Sequence, residues 1–374
     1  MSSDSSPNTD SETPSITERL RELPPSSKFI YKTLERCGRM TQKKISEETL
    51  LSTRTTRYGL KRLEEEGFVD TSPAVHDARQ TCYELSDEAL GKESEYANDV
   101  LVEADWVKDR LEEFATDDTS MRLVEVDSER ETYDDWHIPG AARMTWEEDI
   151  AQKNCRGVPD KKSYEEIMGE KGITEDSTVV LYGNQWNWFA AYAYWMMTYY
   201  GHDDVYLMNG GKNYWDERCY DQTCDTPDFT QRDYDAGQTL EQIRAYRDDV
   251  KAALRQDTKI LDVRSPSEFR GESLAPPGEV PQVEVGGHIP SAEAFHWSKT
   301  IDDDGRFKSR DELKSLFEDR GITPDRDVIV YCSIGERSSL VWFVLSELLG
   351  YGMVANYDGS WTEWGNLVDV PVEN

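Results

Sequence analysis

The 374-residue sequence is poor in positive charge, with 42 lysine and arginine residues against 75 aspartate and glutamate residues. The formal net charge is −33 at pH 7. Such a surface repels nucleic acid and anionic membranes, so any contact with them must come from a locally different region. The balance is similar to that of proteins from salt-adapted cytosols. A merely very soluble acidic protein is the alternative.

Long apolar runs and export signals are also missing. The most apolar run, Trp186–Tyr200, is interrupted by Asn187, so it is too short to span a bilayer and predicts a buried helix. The first residues contain neither an apolar core nor a basic cluster, so we expect no secretory signal there. The six cysteines are scattered. We therefore expect reduced thiols in a cytoplasmic protein rather than a disulfide framework.

The length predicts two or three domains. Residues 1–25 are rich in Ser, Thr, Pro and Asp, a composition typical of a disordered tail. The predicted divisions that follow are a small module over residues 26–95, an α/β domain over 103–220, a polar linker over 221–242 and a second α/β domain over 243–374.

The small module differs in charge from the rest of the chain. Residues 26–88 contain 11 basic and 11 acidic side chains, so the whole net charge lies outside them. The pattern predicts three helices and a hairpin: Gly38 ends the first helix, Thr41 begins the second, and Ser52 caps the third. Two strands, 68–71 and 81–85, flank a polar loop.

This module resembles a winged helix-turn-helix, a resemblance that implies a third helix in the major groove and a wing on the DNA backbone. The side chains available for DNA would be Arg54, Thr55, Arg57, Lys61 and Arg62 on that helix, with Arg79 and His76 in the wing. The alternative is a module used only for protein contact or dimerisation.

The rest of the chain contains an internal repeat. The segment from Ile173 to Gly183 matches that from Ile322 to Cys332 at an offset of 149, and the pair Trp215 and Trp364 keeps this offset. Upstream, H-I-P-G-A at 137–141 matches H-I-P-S-A at 288–292. Ordered matches of this kind indicate a duplicated domain.

Within each copy, short β-branched runs alternate with helical stretches. This alternation predicts a parallel sheet covered by helices on both faces, with ligands beyond the carboxyl ends of the strands. Cys332 lies at that position, directly after a predicted strand and before a helix. Loop amides and a helix N-terminus there would lower the pKa of the thiol and hold an anion beside it.

The loop after this strand carries the candidate chemistry. Cys332 is the predicted nucleophile, and Arg337 offers forked donors for a sulfonate or sulfate-like group. Gly335 allows the backbone to turn tightly. The alternative is a buried structural cysteine. The residues that we expect to contact substrate in this loop are Ser333, Ile334, Gly335, Glu336, Arg337 and Ser338.

Residues 103–374 resemble the tandem-domain rhodaneses, the thiosulfate and mercaptopyruvate sulfurtransferases. The resemblance rests on the paired H-I-P motifs, on L-D-V-R-S-P-S-E-F, on Y-C-S-I-G-E-R-S-S and on N-Y-D-G-S-W-T-E-W-G-N. It implies that Cys332 takes sulfur from a donor as a persulfide and passes it to cyanide or a thiol. It also implies that Asp262 and Arg264 anchor the loop or the substrate. A solvated surface arginine is the alternative for Arg264.

The first copy has Gly183 where the second has Cys332, so we expect it to be inactive. We interpret His137 and His288 as structural. Cys219 and Cys224 without nearby histidines are weak evidence for zinc, and no metal or cofactor site is predicted.

The loop favours thiosulfate as donor, with 3-mercaptopyruvate as an alternative. Ser333-Ile334 and the charged Glu336-Arg337 are unlike the small, glycine-rich loops of mercaptopyruvate enzymes. A further alternative is a sulfur-responsive DNA-binding regulator that uses the rhodanese part as its sensor. The sequence leaves open the physiological donor and acceptor, the DNA site and the oligomeric state.

Overall fold

The computed structural model describes residues 19–20, 23–37, 40–74, 77–86, 96–151, 157–276 and 280–374. The chain forms two compact units, Met1–Glu95 and Tyr96–Asn374. Most of the predicted tail, together with Gly38, His76 and Cys155, lies outside the described residues. Among the helices that are described, none is both long and apolar enough to cross a bilayer.

The first unit contains the predicted three helices. They are α1 (Pro25–Cys37), α2 (Gln42–Thr49) and α3 (Thr53–Glu65). Thr41 caps α2 by accepting from the Lys44 amide, and Ser52 caps α3 by accepting from the Thr55 amide. These caps form because a hydroxyl at the N-cap satisfies an amide that has no partner within the helix.

The strands of the first unit form a three-stranded antiparallel sheet in the order β1-β3-β2. They are β1 (Met40–Thr41), β2 (Val69–Ala74) and β3 (Asp77–Leu85). The prediction omitted β1 and made the hairpin too short, because pairing extends into the segment assigned to a polar loop. Ile30, Leu60 and Phe68 are among the side chains that form its core.

The first α/β domain has a five-stranded parallel sheet in the order β4-β8-β7-β5-β6. Its strands are β4 (Leu101–Val102), β5 (Met121–Asp127), β6 (Ala141–Thr145), β7 (Thr178–Tyr182) and β8 (Val205–Met208). Its helices are α4 (Ala104–Lys108), α5 (Leu111–Phe114), α6 (Arg130–Asp135), α7 (Lys161–Glu170), α8 (Trp188–Tyr199) and α9 (Gly211–Glu217).

The second α/β domain has a four-stranded parallel sheet in the order β10-β9-β11-β12. Its strands are β9 (Lys259–Asp262), β10 (Glu293–Ala294), β11 (Val328–Tyr331) and β12 (Val354–Asn356). Its helices are α10 (Arg247–Ala253), α11 (Pro266–Phe269), α12 (Arg310–Glu318), α13 (Glu336–Phe343) and α14 (Ser360–Trp364).

Helix α8 joins the two domains, and it is the buried helix that the apolar run predicts. Nearly all of its side chains are buried, because it packs on its own sheet and against α13. Tyr194 contacts Phe343 edge to face, with ring centroids 4.8 Å apart. One hydrophobic core therefore continues from the first sheet into the second domain.

The register of the sheets refines the alignment of the two copies. Glu125 lies beside Tyr182 in the first sheet, and Asp262 lies beside Tyr331 in the second. Since the two tyrosines are repeat equivalents, Glu125 corresponds to Asp262. Asp127 therefore occupies the position of Arg264. The prediction that both strands end in an acidic residue still holds, because β5 ends at Asp127 and β9 ends at Asp262.

Candidate active site

Cys332 follows the last residue of β11 and is completely buried. Its amide donates to Ser360 Oγ over 3.1 Å, and its carbonyl accepts from the Trp361 amide over 3.0 Å. These bonds tie the nucleophile position to the start of α14. The thiol is therefore held at the carboxyl end of the sheet, where the sequence predicts it.

The loop surrounds the sulfur with polar groups. The Gly335 amide donates to Cys332 Sγ over 3.2 Å, and Ser338 Oγ lies 3.6 Å from the same sulfur. The thiol itself donates to Glu336 Oε2, which is 3.1 Å away. The sulfur thus has donors on one side and a carboxylate on another.

Gly335 is the residue that allows the loop to close. It has φ +105°, which side chains other than glycine rarely adopt. A Cβ at this position would lie 3.0 Å from Tyr192 Cε2 and 3.2 Å from the Asp358 Cα. A larger residue would therefore push the loop away from Tyr192 of the first domain and from Asp358 of its own domain.

Arg337 is 3% exposed and is already paired with carboxylates. Its guanidinium donates to both oxygens of Glu268, over 3.1 and 3.2 Å, and to Glu336 Oε1 over 3.0 Å. It also donates to Ser333 Oγ over 2.8 Å, while Ile334 is half-buried at the loop surface. Arg337 thus fixes the loop and is not a free anion receptor.

The structure corrects the expected electrostatics of the thiol. Burial and the adjacent Glu336 carboxylate raise the pKa of Cys332 to about 11, although Arg337 acts in the opposite direction. The loop was expected to lower this pKa. The reason for the difference is first that the thiol is completely buried, which disfavours its charged form, and second that the Glu336 carboxylate opposes the effect of Arg337.

Removing the charge of Glu336 should therefore shift the titration of Cys332. We expect Glu336→Gln to lower the pKa of the thiol, because the like charge 3.1 Å from Sγ is lost. The ultraviolet absorbance of the thiolate, titrated against pH and corrected with a Cys332→Ser protein, measures this pKa. An unchanged or higher pKa in the variant would contradict the assignment of Glu336 as a cause.

Asp262 and Arg264 form a buried ion pair. Arg264 Nη2 lies 2.6 Å from Asp262 Oδ2 and 2.7 Å from the Gly287 carbonyl. The Tyr331 hydroxyl donates to the same Asp262 oxygen over 2.7 Å. Because Arg264 is only 3% exposed, it is not a solvated surface arginine. The contacts favour a role in anchoring the strand beside Cys332.

The two motif histidines make equivalent contacts in the two copies. His137 stacks on Tyr133 and its Nδ1 lies 3.0 Å from the Tyr133 carbonyl. His288 stacks on Phe269 and its Nδ1 lies 2.9 Å from the Phe269 carbonyl. Both rings bridge secondary structure elements, in keeping with the structural interpretation.

The first copy has no room for a nucleophile. A Cβ on Gly183 would stand 2.3 Å from the Val126 carbonyl oxygen, closer than real Cβ contacts come. The Gly183 amide instead donates to Asn187 Oδ1 over 2.9 Å. Residues 185–187 all have positive φ, between 46° and 65°. The loop has therefore been rebuilt rather than changed at one position.

Three residues close to the loop of Cys332 were not predicted from the sequence. Glu268 is visible in the sequence only as the end of an S-P-S-E capping box, which predicts a helix start. Tyr192 belongs to the other domain, and no local pattern connects it to the loop. His296 lies near Arg337, and burial with that charge lowers the pKa of its imidazole.

Within the described ranges, no group of three or more His, Cys, Asp or Glu side chains is arranged to hold a metal ion. Cys219 and Cys224 are exposed free thiols. The Cys224 thiol donates to the Asp135 carbonyl over 3.2 Å.

Helix α3 presents the predicted basic side chains to different extents. Arg54, Arg57 and Lys61 are exposed. Arg62 is half-buried and pairs with Glu65 and Glu66, while Lys61 lies 3.7 Å from Glu65. The Thr55 hydroxyl lies 2.8 Å from that of Ser52 in the cap of the helix, and Arg79 lies on β3.

Family models match both parts of the chain. The model of the rhodanese-like domain matches residues 103–218 and 246–367. The model of the winged helix-turn-helix DNA-binding domain matches residues 28–70.

Relatives extend this match over the α/β domains. The predicted thiosulfate sulfurtransferase of Haloferax volcanii is 55% identical over 280 residues, covering 75% of this chain and 98% of that protein. The sulfur carrier protein TtuD of Thermus thermophilus is 46% identical over 280 residues, covering 73% and 96%.

A similar solved structure is the anaerobic ergothioneine biosynthesis enzyme of Chlorobium limicola, bound to trimethyl histidine. It has a TM-score of 0.64 and 25% identity, covering 73% of this chain and 70% of its own. The rhodanese-like model matches both copies, and the relatives are up to 55% identical. The chain therefore belongs to the rhodanese family of sulfurtransferases, with a winged helix-turn-helix domain before two rhodanese-like domains.

Proposed function

We propose that this protein transfers the outer sulfur of thiosulfate to cyanide or a thiol through a persulfide on Cys332. The observation that carries the proposal is the sulfur's surroundings: Sγ has the Gly335 amide 3.2 Å away as a donor and the Glu336 carboxylate 3.1 Å away as a proton acceptor. A group that can both receive the thiol proton and remain beside the sulfur makes a buried thiol usable.

In the first step, the proton of Cys332 moves to Glu336 Oε2. The thiolate attacks the outer sulfur of thiosulfate, the new S–S bond forms, and the old S–S bond breaks with its electron pair leaving on sulfite. Cys332 then carries a persulfide anion. The neutral Glu336 acid no longer repels the anionic donor, while Arg337 keeps its ion pair with Glu268.

In the second step, cyanide or a thiolate attacks the outer sulfur. The S–S bond breaks, its electron pair returns to Cys332 Sγ, and the acceptor leaves as thiocyanate or as its own persulfide. Glu336 then returns the proton to the thiolate. The charges balance in both steps, so no metal or redox cofactor is needed for the exchange.

Thiosulfate is proposed as donor because relatives at 43–55% identity are named for it. The experiment compares thiosulfate with 3-mercaptopyruvate in steady-state cyanide assays on the full chain. A higher kcat/KM with thiosulfate is the expected result. A preference for mercaptopyruvate would reverse the donor while keeping Cys332 as sulfur carrier, and no turnover with either would overturn the proposal.

Binding of double-stranded DNA by the first unit is a second proposed activity. It is favoured by the match of residues 28–70 to a DNA-binding model and by a row of exposed basic residues on α3. Arg54, Arg57 and Lys61 are spaced so that they share one face of the helix. Such a face suits the major groove, where arginines contact phosphates and guanine edges.

We expect Arg54→Ala/Arg57→Ala to weaken binding of a fragmented genomic DNA pool and to flatten its salt dependence, by roughly one slope unit for each lost phosphate contact. Arg62→Ala is the comparison: although Arg62 was also predicted to contact DNA, its pairing with Glu65 and Glu66 makes it less available, so this variant should weaken binding less than the double variant. Equal binding by all three proteins would contradict the assignment. Measuring the reduced and persulfide forms side by side tests the regulator alternative, which requires that their affinities differ.

A further inference from the structure

The inactive first domain places one polar group beside the active loop of the second. Tyr192 lies on α8, and its side chain is completely buried. Within the described part of the chain, its hydroxyl has no hydrogen-bond partner. Leaving a buried hydroxyl without a hydrogen bond is energetically unfavourable, so an unpaired hydroxyl of this kind calls for a physical reason.

The ring is fixed in place by its neighbours. Trp146 contacts it edge to face with centroids 4.9 Å apart, and Trp195 lies 5.3 Å away. Its Cε2 atom is 3.0 Å from where a Cβ on Gly335 would stand. Gly335 is the residue whose amide donates to Cys332 Sγ. Tyr192 therefore packs directly on the loop that holds the sulfur.

The groups around the hydroxyl favour a neutral donor. Burial, together with the Asp358 carboxylate, holds the pKa of Tyr192 well above its ordinary value, and the charges of Glu336 and Cys332 act in the same direction. The hydroxyl thus keeps its proton at all working pH values. A protonated hydroxyl facing negative groups is suited to donate to an acceptor that arrives during the reaction.

Trp188, one turn before Tyr192 on α8, also carries a buried donor, Nε1, without a partner among the described residues. The Trp188 ring lies 5.9 Å from the Arg337 guanidinium. Residues four apart share one helix face. This face of α8 thus places two residues with unused donors beside the loop of the second domain.

We propose that the Tyr192 hydroxyl donates a hydrogen bond to the outer sulfur of the Cys332 persulfide. The inference rests on the proposed function, since the acceptor exists only after sulfur has been transferred. That sulfur gains its negative charge when sulfite leaves, and a fixed donor stabilises the charge as it develops. Tyr192 is thereby a catalytic residue supplied by the domain that lacks a nucleophile.

Tyr192→Phe tests the proposal because it removes only the hydroxyl. We expect sulfur transfer from thiosulfate to cyanide to slow by about 100- to 1,000-fold, the range found when one such donor is lost. We also expect the pKa of the enzyme-bound persulfide, followed by its ultraviolet absorbance, to rise. The melting temperature should stay the same or increase, since the hydroxyl has no hydrogen bond to lose among the described residues.

Tyr351→Phe is the matched control. Its hydroxyl is likewise buried without a partner in the described residues, but it lies beyond the C-terminal end of the α13 segment, away from Cys332. This variant should keep wild-type turnover. The proposal is overturned if Tyr192→Phe keeps both the wild-type rate and the wild-type persulfide titration. A wild-type protein that forms no persulfide would instead overturn the proposed function itself.

Discussion

Cys332→Ser should abolish sulfur transfer from thiosulfate to cyanide, lowering turnover by roughly four orders of magnitude or more, as expected when a nucleophile is removed. A serine hydroxyl cannot form a persulfide at neutral pH. The equivalent position in the first domain offers no replacement thiol, because it is Gly183, where a side chain would meet the Val126 carbonyl. The colorimetric thiocyanate assay measures the loss.

Cys219→Ser provides the control for this prediction. Cys219 is a free thiol exposed at the end of the first domain, so its replacement should leave turnover unchanged. Residual activity in Cys332→Ser at more than a small fraction of the wild-type rate would show that another group carries the sulfur.

Glu268→Gln should destabilise the fold by about 3–5 kcal/mol, because it breaks a buried ion pair and leaves Arg337 without one of its carboxylate partners. Glu268 is 2% exposed, and both of its oxygens accept from Arg337. Burial alone would raise the pKa of Glu268. The charge and hydrogen bonds of Arg337 outweigh this effect and lower the pKa to about 2. Urea unfolding followed by tryptophan fluorescence measures the difference.

The same ion pair predicts a pH dependence. A carboxyl whose pKa is lower in the folded than in the unfolded protein stabilises the fold fully above its unfolded value, here 4.5. This stabilisation is lost as the pH falls from there toward 2. The gap in free energy of unfolding between wild type and Glu268→Gln should therefore be widest near neutral pH and narrow in acid.

Glu272→Gln is the matched control for this effect. Glu272 also pairs with an arginine, Arg270, but both side chains are more than half exposed. Exposed pairs contribute little to stability. The variant should therefore unfold close to wild type at every pH. Equal stability of Glu268→Gln and wild type, or a gap that does not change with pH, would contradict the assigned role of the pair.

Most of the architecture was accessible from the sequence because it is repeated. The offset of 149 residues makes Tyr182 equivalent to Tyr331, and therefore makes Gly183 equivalent to Cys332. Hydrophobic periodicity and caps gave the three helices of the first unit. Strand ends were less accessible, since the pairing of β2 with β3 extends through residues whose polarity suggests a loop.

The electrostatics of the site could not be predicted in the same way. The sequence places Glu336 four residues after Cys332 but does not say that its carboxylate contacts the sulfur. The sequence also does not reveal that Glu268, distant along the chain, neutralises Arg337. Since a pKa depends on such contacts and on burial, the expected direction of the Cys332 shift was wrong.

The contribution of the first domain was equally hidden. Tyr192 reaches the loop only because α8 packs against α13 across the domain boundary. Its sequence neighbours are aromatic and apolar, a pattern that predicts a buried helix and no chemistry. Among the described residues, it differs from an ordinary core tyrosine in that its hydroxyl has no partner and its ring packs on Gly335.

The most direct test of the account is the intact mass of the full chain after incubation with thiosulfate and removal of excess reagent. The wild-type protein should gain one sulfur atom per chain and lose it again on treatment with cyanide, while Cys332→Ser should gain none. A wild-type mass that does not change, or a gain that persists in Cys332→Ser, would contradict the claim that Cys332 carries the sulfur.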